Sequence, residues 1–183
     1  MVDDTDASSP APVIRAATTE DLDLIVSIVA AAYRSTGGQR GWTSEDDLLD
    51  GQRADAPMVQ AILDDDRSVL LVAEVHGAVR GCIQLEPLGG DGAHFGLFAV
   101  DPTLQSGGVG GALLTAVEDL ARQEWGCRWM QLEVLRQRLD LIAWYARRGY
   151  EPTGETQPFP YGDERFGQPR RDDLVFEVLR RPL

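Results

Sequence analysis

Asp101–Leu114 reads DPTLQSGGVGGALL, with glycine at 107, 108, 110 and 111. An apolar stretch, AHFGLFAV (93–100), leads into it. Beyond it, Leu113, Leu114, Val117, Leu120 and Ala121 recur at helical spacing. Bare backbone between a strand and a helix has a physical use. Glycines let main-chain N–H groups close on a ligand, and the helix N-terminus adds partial positive charge, so the segment suits an anion.

Bulk properties narrow the choice. The chain has 183 residues, a mean hydropathy of −0.21 and a net charge of −13 with a pI near 4.4. Such acidity argues against nucleic acid and anionic membranes as partners and leans toward a cationic substrate. No run approaches the roughly 20 apolar residues of a membrane span, and MVDDTDASSPAP (1–12) lacks a basic leader region, so a cytoplasmic protein is expected. All 17 basic residues are arginine. Without lysine there is no Walker A, Schiff-base or kinase-type ATP lysine. Cys82 and Cys127 form no metal-ligand spacing, and no metal is expected.

Along the chain, residues 1–12 read as a disordered tail and 13–183 as one domain. VIRAAT (13–18) reads as a strand. Thr18 and Asp21 form a capping-box variant ahead of a helix carrying Leu22, Ile25, Val26, Val29 and Tyr33. TSEDDLLD (43–50) reads as a second short helix, and a third begins after Asp55 with Pro57 in its first turn. SVLLVAEV (68–75) and VRGCIQLEPL (79–88) flank a His76-Gly77 hairpin turn. WMQLEVL (129–135) is a buried strand, DLIAWYARR (140–148) a short helix stopped by Gly149, and DDLVFEVL (172–179) a last strand. Between them PFPYGDERFGQPRR (158–171) reads as a long loop. The order βααα-βββ-α-β-α-β-β is that of an α/β protein with mixed strand directions.

The glycine stretch fails the dinucleotide fingerprint, because Leu113 stands where a third small residue is needed. Read from Gln105 it is Q-x-x-G-x-G, and it resembles the acyl-CoA pyrophosphate loop of the GNAT superfamily of N-acetyltransferases. Val100-Asp101-Pro102 before it, Leu132-Glu133-Val134, and Tyr145-Ala146-Arg147-Arg148-Gly149-Tyr150 resemble that family's further motifs, in order. The resemblance covers about residues 13 to 180. It implies a mixed, mostly antiparallel seven-stranded sheet flanked by helices, whose central strands 93–100 and 129–135 splay apart around acetyl-CoA. The pantetheine arm would lie along Phe98, Ala99 and Val100. The pyrophosphate would rest on Gln105, Ser106, Gly107, Gly108, Val109, Gly110 and Gly111.

The resemblance also implies chemistry: direct acetyl transfer from acetyl-CoA, as co-substrate, to a primary amine of a small molecule or peptide. Tyr145 matches the family's general acid toward the leaving sulfur. Glu133, twelve residues earlier, matches the base glutamate of the branch that acetylates a ribosomal protein's N-terminal alanine. Glu86 is the rival base, and His94, at a strand start, is a third candidate or a solvated residue. Arg138 stands where family members often have asparagine toward CoA; whether it meets a phosphate is open. Gln39, Trp42, Tyr161, Asp163 and Glu164 could line the amine pocket. An acyl-CoA sensor without turnover is the alternative of another class, and a homodimer through the C-terminal strand is a further possibility.

Overall fold

The computed structural model describes residues 11–35, 43–104 and 107–183, the Glu164 side chain excepted. The expected tail lies almost wholly outside them, as do Gln39, Trp42, Gln105 and Ser106. The elements are β1 (Val13–Ala16), α1 (Leu22–Arg34), β2 (Leu49–Asp50), α2 (Ala56–Asp64), β3 (Val69–Val75), β4 (Ala78–Leu88), β5 (Gly92–Val100), α3 (Val109–Gln123), β6 (Trp129–Leu135), α4 (Leu139–Ala146), β7 (Glu151–Pro158), β8 (Gln168–Pro169) and β9 (Val175–Pro182). Seven strands form one sheet in the order β1-β3-β4-β5-β6-β9-β7. Every pairing in it is antiparallel except β5–β6.

Helices cover the sheet unequally. On one face α3 and α4 bury Ile83, Leu85, Phe95, Leu113, Val117 and Met130. On the other, α1 and α2 bury Ile25, Val29, Val59, Val72, Cys82 and Ala99. The apolar stripe of α1 follows from its i, i+3, i+4, i+7 spacing. Pro57 starts α2, and the Asp55 carboxylate accepts from Met58 N–H at 2.8 Å as its cap.

The β5–β6 pair holds only three rungs, Gly92↔Trp129, Ala93↔Met130 and His94↔Gln131, and then parts. Its start is tight. The Trp129 indole lies 2.2 Å from where a Cβ on Gly92 would stand, so no larger residue fits there without moving the ring. The Arg180 guanidinium covers that indole at 4.4 Å from the ring centroid.

Three expectations are corrected. TSEDDLLD forms a single turn, closed by Leu49 N–H to the Glu45 carbonyl at 2.8 Å, and then β2. Leu48 and Leu49 are adjacent and both buried, with Leu135, Phe159 and Leu174. The 158–171 segment contributes β8, which pairs with β2. The C-terminal strand β9 is hydrogen-bonded on both edges, to β6 and β7, so it offers no edge to a second copy.

The capping box at α1 carries a measurable load. Asp21 accepts from Arg15 Nη1 at 2.7 Å, Arg15 Nη2 at 2.8 Å and Thr18 N–H at 2.8 Å. The Arg15 hydrogen bonds chiefly hold its pKa at about 2, against an ordinary 3.8. The folded value lies below the unfolded one, so this stabilisation is complete above about pH 4 and is lost as the pH falls through 2. Asp21→Asn should cost about 2 kcal/mol at pH 7. It should also flatten the acid dependence below pH 4, measured by urea unfolding at pH 7, 4 and 2.5.

Candidate active site

The site grows from the parting of β5 and β6. On β5 the register with β4 shifts between Cys82 and Gln84, and Leu97 takes a φ of +40°. This bulge changes the alternation of the strand. Phe95 and Phe98, three residues apart, both join the α3/α4 core, their ring centroids 6.0 Å apart. Phe98 and Val100 thereby face a cavity of about 320 Å³. Ala99 faces the other way and is fully buried in the α1/α2 core, so only its backbone is available to the gap. Tyr33, from α1, donates its hydroxyl to the Phe98 carbonyl at 2.9 Å.

The cavity's opposite walls come from α3 and α4. Gly108 caps α3 with φ +77°, a conformation glycine adopts freely. The first intrahelical bond runs from Ala112 N–H to the Gly108 carbonyl at 3.0 Å. The N–H groups of Val109, Gly110 and Gly111 precede it and have no helical acceptor. A Cβ on Gly110 would enter the space beside Phe98 and Val100, at 3.5 and 3.6 Å, whereas one on Gly108 or Gly111 would meet nothing. This bare helix mouth suits the diphosphate of a CoA ester. Gly107 N–H is instead bonded to the Leu104 carbonyl at 3.1 Å, which tightens the turn before the helix.

From α4 come Leu141, Trp144 and Tyr145, followed by Arg148 just beyond the helix. Tyr145 is 6% exposed. Phe95 at 5.9 Å and Trp144 at 4.9 Å hold its ring, and its hydroxyl takes no partner among the described residues. Burial raises its pKa far above the ordinary tyrosine value, so the phenol stays a proton donor. Arg148 stacks on Trp144 at 3.4 Å and brings positive charge to the cavity. Neither Trp144 nor Arg148 was singled out from the sequence. The i, i+3, i+4, i+7 series 141, 144, 145, 148 was the available signal.

On the other face of the sheet, the three candidate bases come together. His94 Nδ1 lies 2.9 Å from Glu86 Oε1, and His94 Nε2 lies 3.6 Å from Glu133 Oε2. Glu86 stands on β4 opposite His94 of β5, at the last rung before β5 and β6 part, and Glu133 lies two residues beyond that rung on β6. The His94 hydrogen bond lowers the Glu86 pKa below the ordinary carboxylate range. With its side chain 18% exposed, His94 is not the freely solvated residue that a strand start suggested. The carboxylates engage opposite ring nitrogens, so the three groups do not converge on one point as metal ligands would. Among the described residues, no His, Cys, Asp or Glu cluster is arranged to hold a metal.

Other candidates are used structurally. Arg138, 8% exposed, donates to the Thr43 and Ser44 carbonyls at 3.0 and 2.8 Å and to both oxygens of Asp140. It joins the start of α4 to the segment before β2 rather than serving an open phosphate site. The Tyr161 hydroxyl accepts from Leu174 N–H at 2.7 Å, and Asp163 is paired with Arg165; both pin their own loop.

The family model described as "Acetyltransferase (GNAT) family" matches residues 29–150, about two thirds of the chain. The chain belongs to this family and is an acetyltransferase by that membership. Among curated proteins, none matches it in sequence. Similar solved structures include the ribosomal-protein-S18-alanine N-acetyltransferase of Escherichia coli, with 19% identity, a TM-score of 0.67 and 94% of each chain covered. The ribosomal-protein-alanine N-acetyltransferase of Brucella melitensis gives 22%, 0.68, and coverage of 93% of this chain and 99% of that one. The PaiA N-acetyltransferase of Thermoplasma acidophilum, in complex with coenzyme A, gives 16%, 0.68, and 95% and 100%. At these identities the likeness is one of fold. The seven-stranded, mostly antiparallel sheet of this chain is the fold that this likeness covers.

Arg138 offers a direct check on its structural assignment. Arg138→Met should leave the Thr43 and Ser44 carbonyls without their donor and cost about 2–3 kcal/mol. Hydrogen exchange should rise in 43–48 and at the start of α4. Unchanged stability with weakened CoA binding would instead assign Arg138 to the ligand.

Proposed function

We propose that residues 13–183 act as one catalytic domain. In this reading it moves the acetyl group of acetyl-CoA directly to a primary amine, of a small molecule or a peptide, within a ternary complex. The observation that carries the proposal is the two-sided gap between β5 and β6. On one face lie a bare helix mouth and a buried phenol; on the other lies a carboxylate–imidazole–carboxylate cluster. Acetyl-CoA would supply an activated acyl carbon and a thiolate leaving group. The E. coli and Brucella proteins named above as alanine N-acetyltransferases, and the Thermoplasma protein bound to coenzyme A, support both substrate classes.

The chain's own residues take these roles. The N–H groups at Val109, Gly110 and Gly111 bind the diphosphate, with Gln105, Ser106, Gly107 and Gly108 completing the loop. The backbone of Phe98, Ala99 and Val100 pairs with the amide arm, because strand edges left open by the splay need hydrogen-bond partners. Tyr145 donates a proton to the departing sulfur. Glu133, Glu86 and His94 draw in the ammonium and take its proton, and the net charge of −13 favours such a cation. Both cysteines are free and buried, which suits work in a reducing cytoplasm.

Two measurements test this. CoA should raise the melting temperature of the wild type, because only the folded cradle binds it. Gly110→Val should keep the fold and lose that shift, since the added methyls occupy the cavity. An undiminished shift would remove the helix mouth from the site. Tyr145→Phe should keep the shift while kcat falls about 10²–10⁴-fold, read by release of free CoA thiol over an amine panel. A full-rate Phe variant would exclude Tyr145 as the acid.

A further inference from the structure

Resting on the acetyltransferase reading, we infer that His94 Nε2 is the atom that accepts the amine proton. Glu86 is the positioning residue that sets the ring, and Glu133 seats the ammonium against it. This reverses the order of candidates that sequence motifs favour, and it starts from the hydrogen inventory. Glu86 titrates below the ordinary carboxylate range, so near neutral pH it is ionised and can only accept. At 2.9 Å from it, His94 Nδ1 must carry the hydrogen. In the neutral ring Nε2 is then a bare acceptor.

That acceptor faces a second one. Glu133 Oε2 lies 3.6 Å from Nε2, beyond a direct hydrogen bond. Two acceptors at this spacing suit a donor seated between them. An ammonium nitrogen about 2.9 Å from each fits the pair and can aim one N–H at the ring and one at the carboxylate.

Gly96 supplies the space. It follows His94 on the same face of β5, past the last β6 rung. A Cβ there would stand 3.4 Å from His94 Cε1, the carbon between the two ring nitrogens. Bare backbone keeps that ring edge open on the side where the strands part.

The charged groups facing the ring are Glu86 from β4 and Glu133 from β6. Asp65 and Arg67, in the turn before β3, act on Glu86 in turn. Arg180, from β9, donates to Gln131, the residue paired with His94, at 2.8 Å. A positive charge formed on the imidazole therefore lies between two carboxylates. Imidazole changes charge between about pH 5 and 8, whereas carboxylates as a class are too weakly basic to hold a proton there, so the ring is the better matched acceptor.

The protons balance. One of the ammonium's three moves to Nε2 as its N–H bond breaks, and is later released to solvent. The freed nitrogen pair forms the C–N bond, and the C–S bond breaks with its electron pair on sulfur. Tyr145 protonates that sulfur and regains a proton shed by the nitrogen as it becomes an amide. The third proton stays on the amide nitrogen.

The test is kcat/KM against pH for the purified full chain, on an amine that the wild type acetylates. His94→Gln should lose about 10²-fold or more and its acidic limb should flatten, while CoA still raises the melting temperature. His94→Ala should regain rate when imidazole is added. Glu86→Gln should move the acidic limb to lower pH, because a negative charge beside the protonated ring is gone; a purely structural role would not move it. Glu133→Gln should raise KM for the amine with the acidic limb kept. A His94→Gln enzyme with full rate and its acidic limb in place overturns the assignment. So does a Glu133→Gln enzyme whose limb disappears, which gives the proton to Glu133. A wild type that binds CoA but releases no thiol with any amine sinks the acetyltransferase reading itself, before any variant is compared.

Discussion

Two adjacent parallel strands that share three rungs and then separate impose the conditions that the rest of this molecule meets. Past His94↔Gln131, β5 and β6 each carry peptide groups without a strand partner. Buried peptide groups in that state are costly, so other elements must serve them or a ligand must. Tyr33 reaches from α1 to the Phe98 carbonyl on one side. The bulge at Leu97 turns Phe98 and Val100 toward α3 and α4 on the other. What remains between these fillings is the cavity. In the proposed reaction the phenol and the carboxylate–imidazole cluster would act from opposite faces of the sheet at this parting.

The gap stays open because its borders are tied. With no lysine in the chain, arginine makes these ties. Arg34 joins α1 to both sides of β2, through Glu45 before it at 3.0 Å and the Gly51 carbonyl just after it at 2.9 Å. Arg138 ties the segment before β2 to α4. Arg181 and the Tyr150 hydroxyl share the buried Glu118 carboxylate beneath α3. A planar guanidinium with five donors can hold a carboxylate and one or two carbonyls at once, which an ammonium point charge does less well. These cations are thus consumed inside the fold, and the excess of carboxylates sets the sign of the net charge at −13.

Much of the frame was legible in the residues. Helical spacing marked α1 and α3, the stop at Gly149 marked α4, and Asp55 with Pro57 marked α2. The His76-Gly77 turn marked the β3–β4 hairpin. Where reading failed, tertiary partners had decided. TSEDDLLD carries no local signal for a strand; β2 exists because β8 lies beside it. Arg138 follows no periodicity that announces its acceptors, which lie almost a hundred residues earlier in the chain. The bulge at Leu97 was invisible because AHFGLFAV fits a regular buried strand as well as a bulged one.

By itself, then, the sequence determined most of the elements, the family motifs and the types of group available for acid–base work, since local spacing and residue chemistry act over a few positions. Tertiary structure alone decided which of those groups meet. Glu86, His94 and Glu133 stand on three different strands, and only the register of β4, β5 and β6 puts one imidazole nitrogen against each carboxylate. Register is a property of paired strands: a shift of one residue would carry every side chain of a strand to the other face of the sheet.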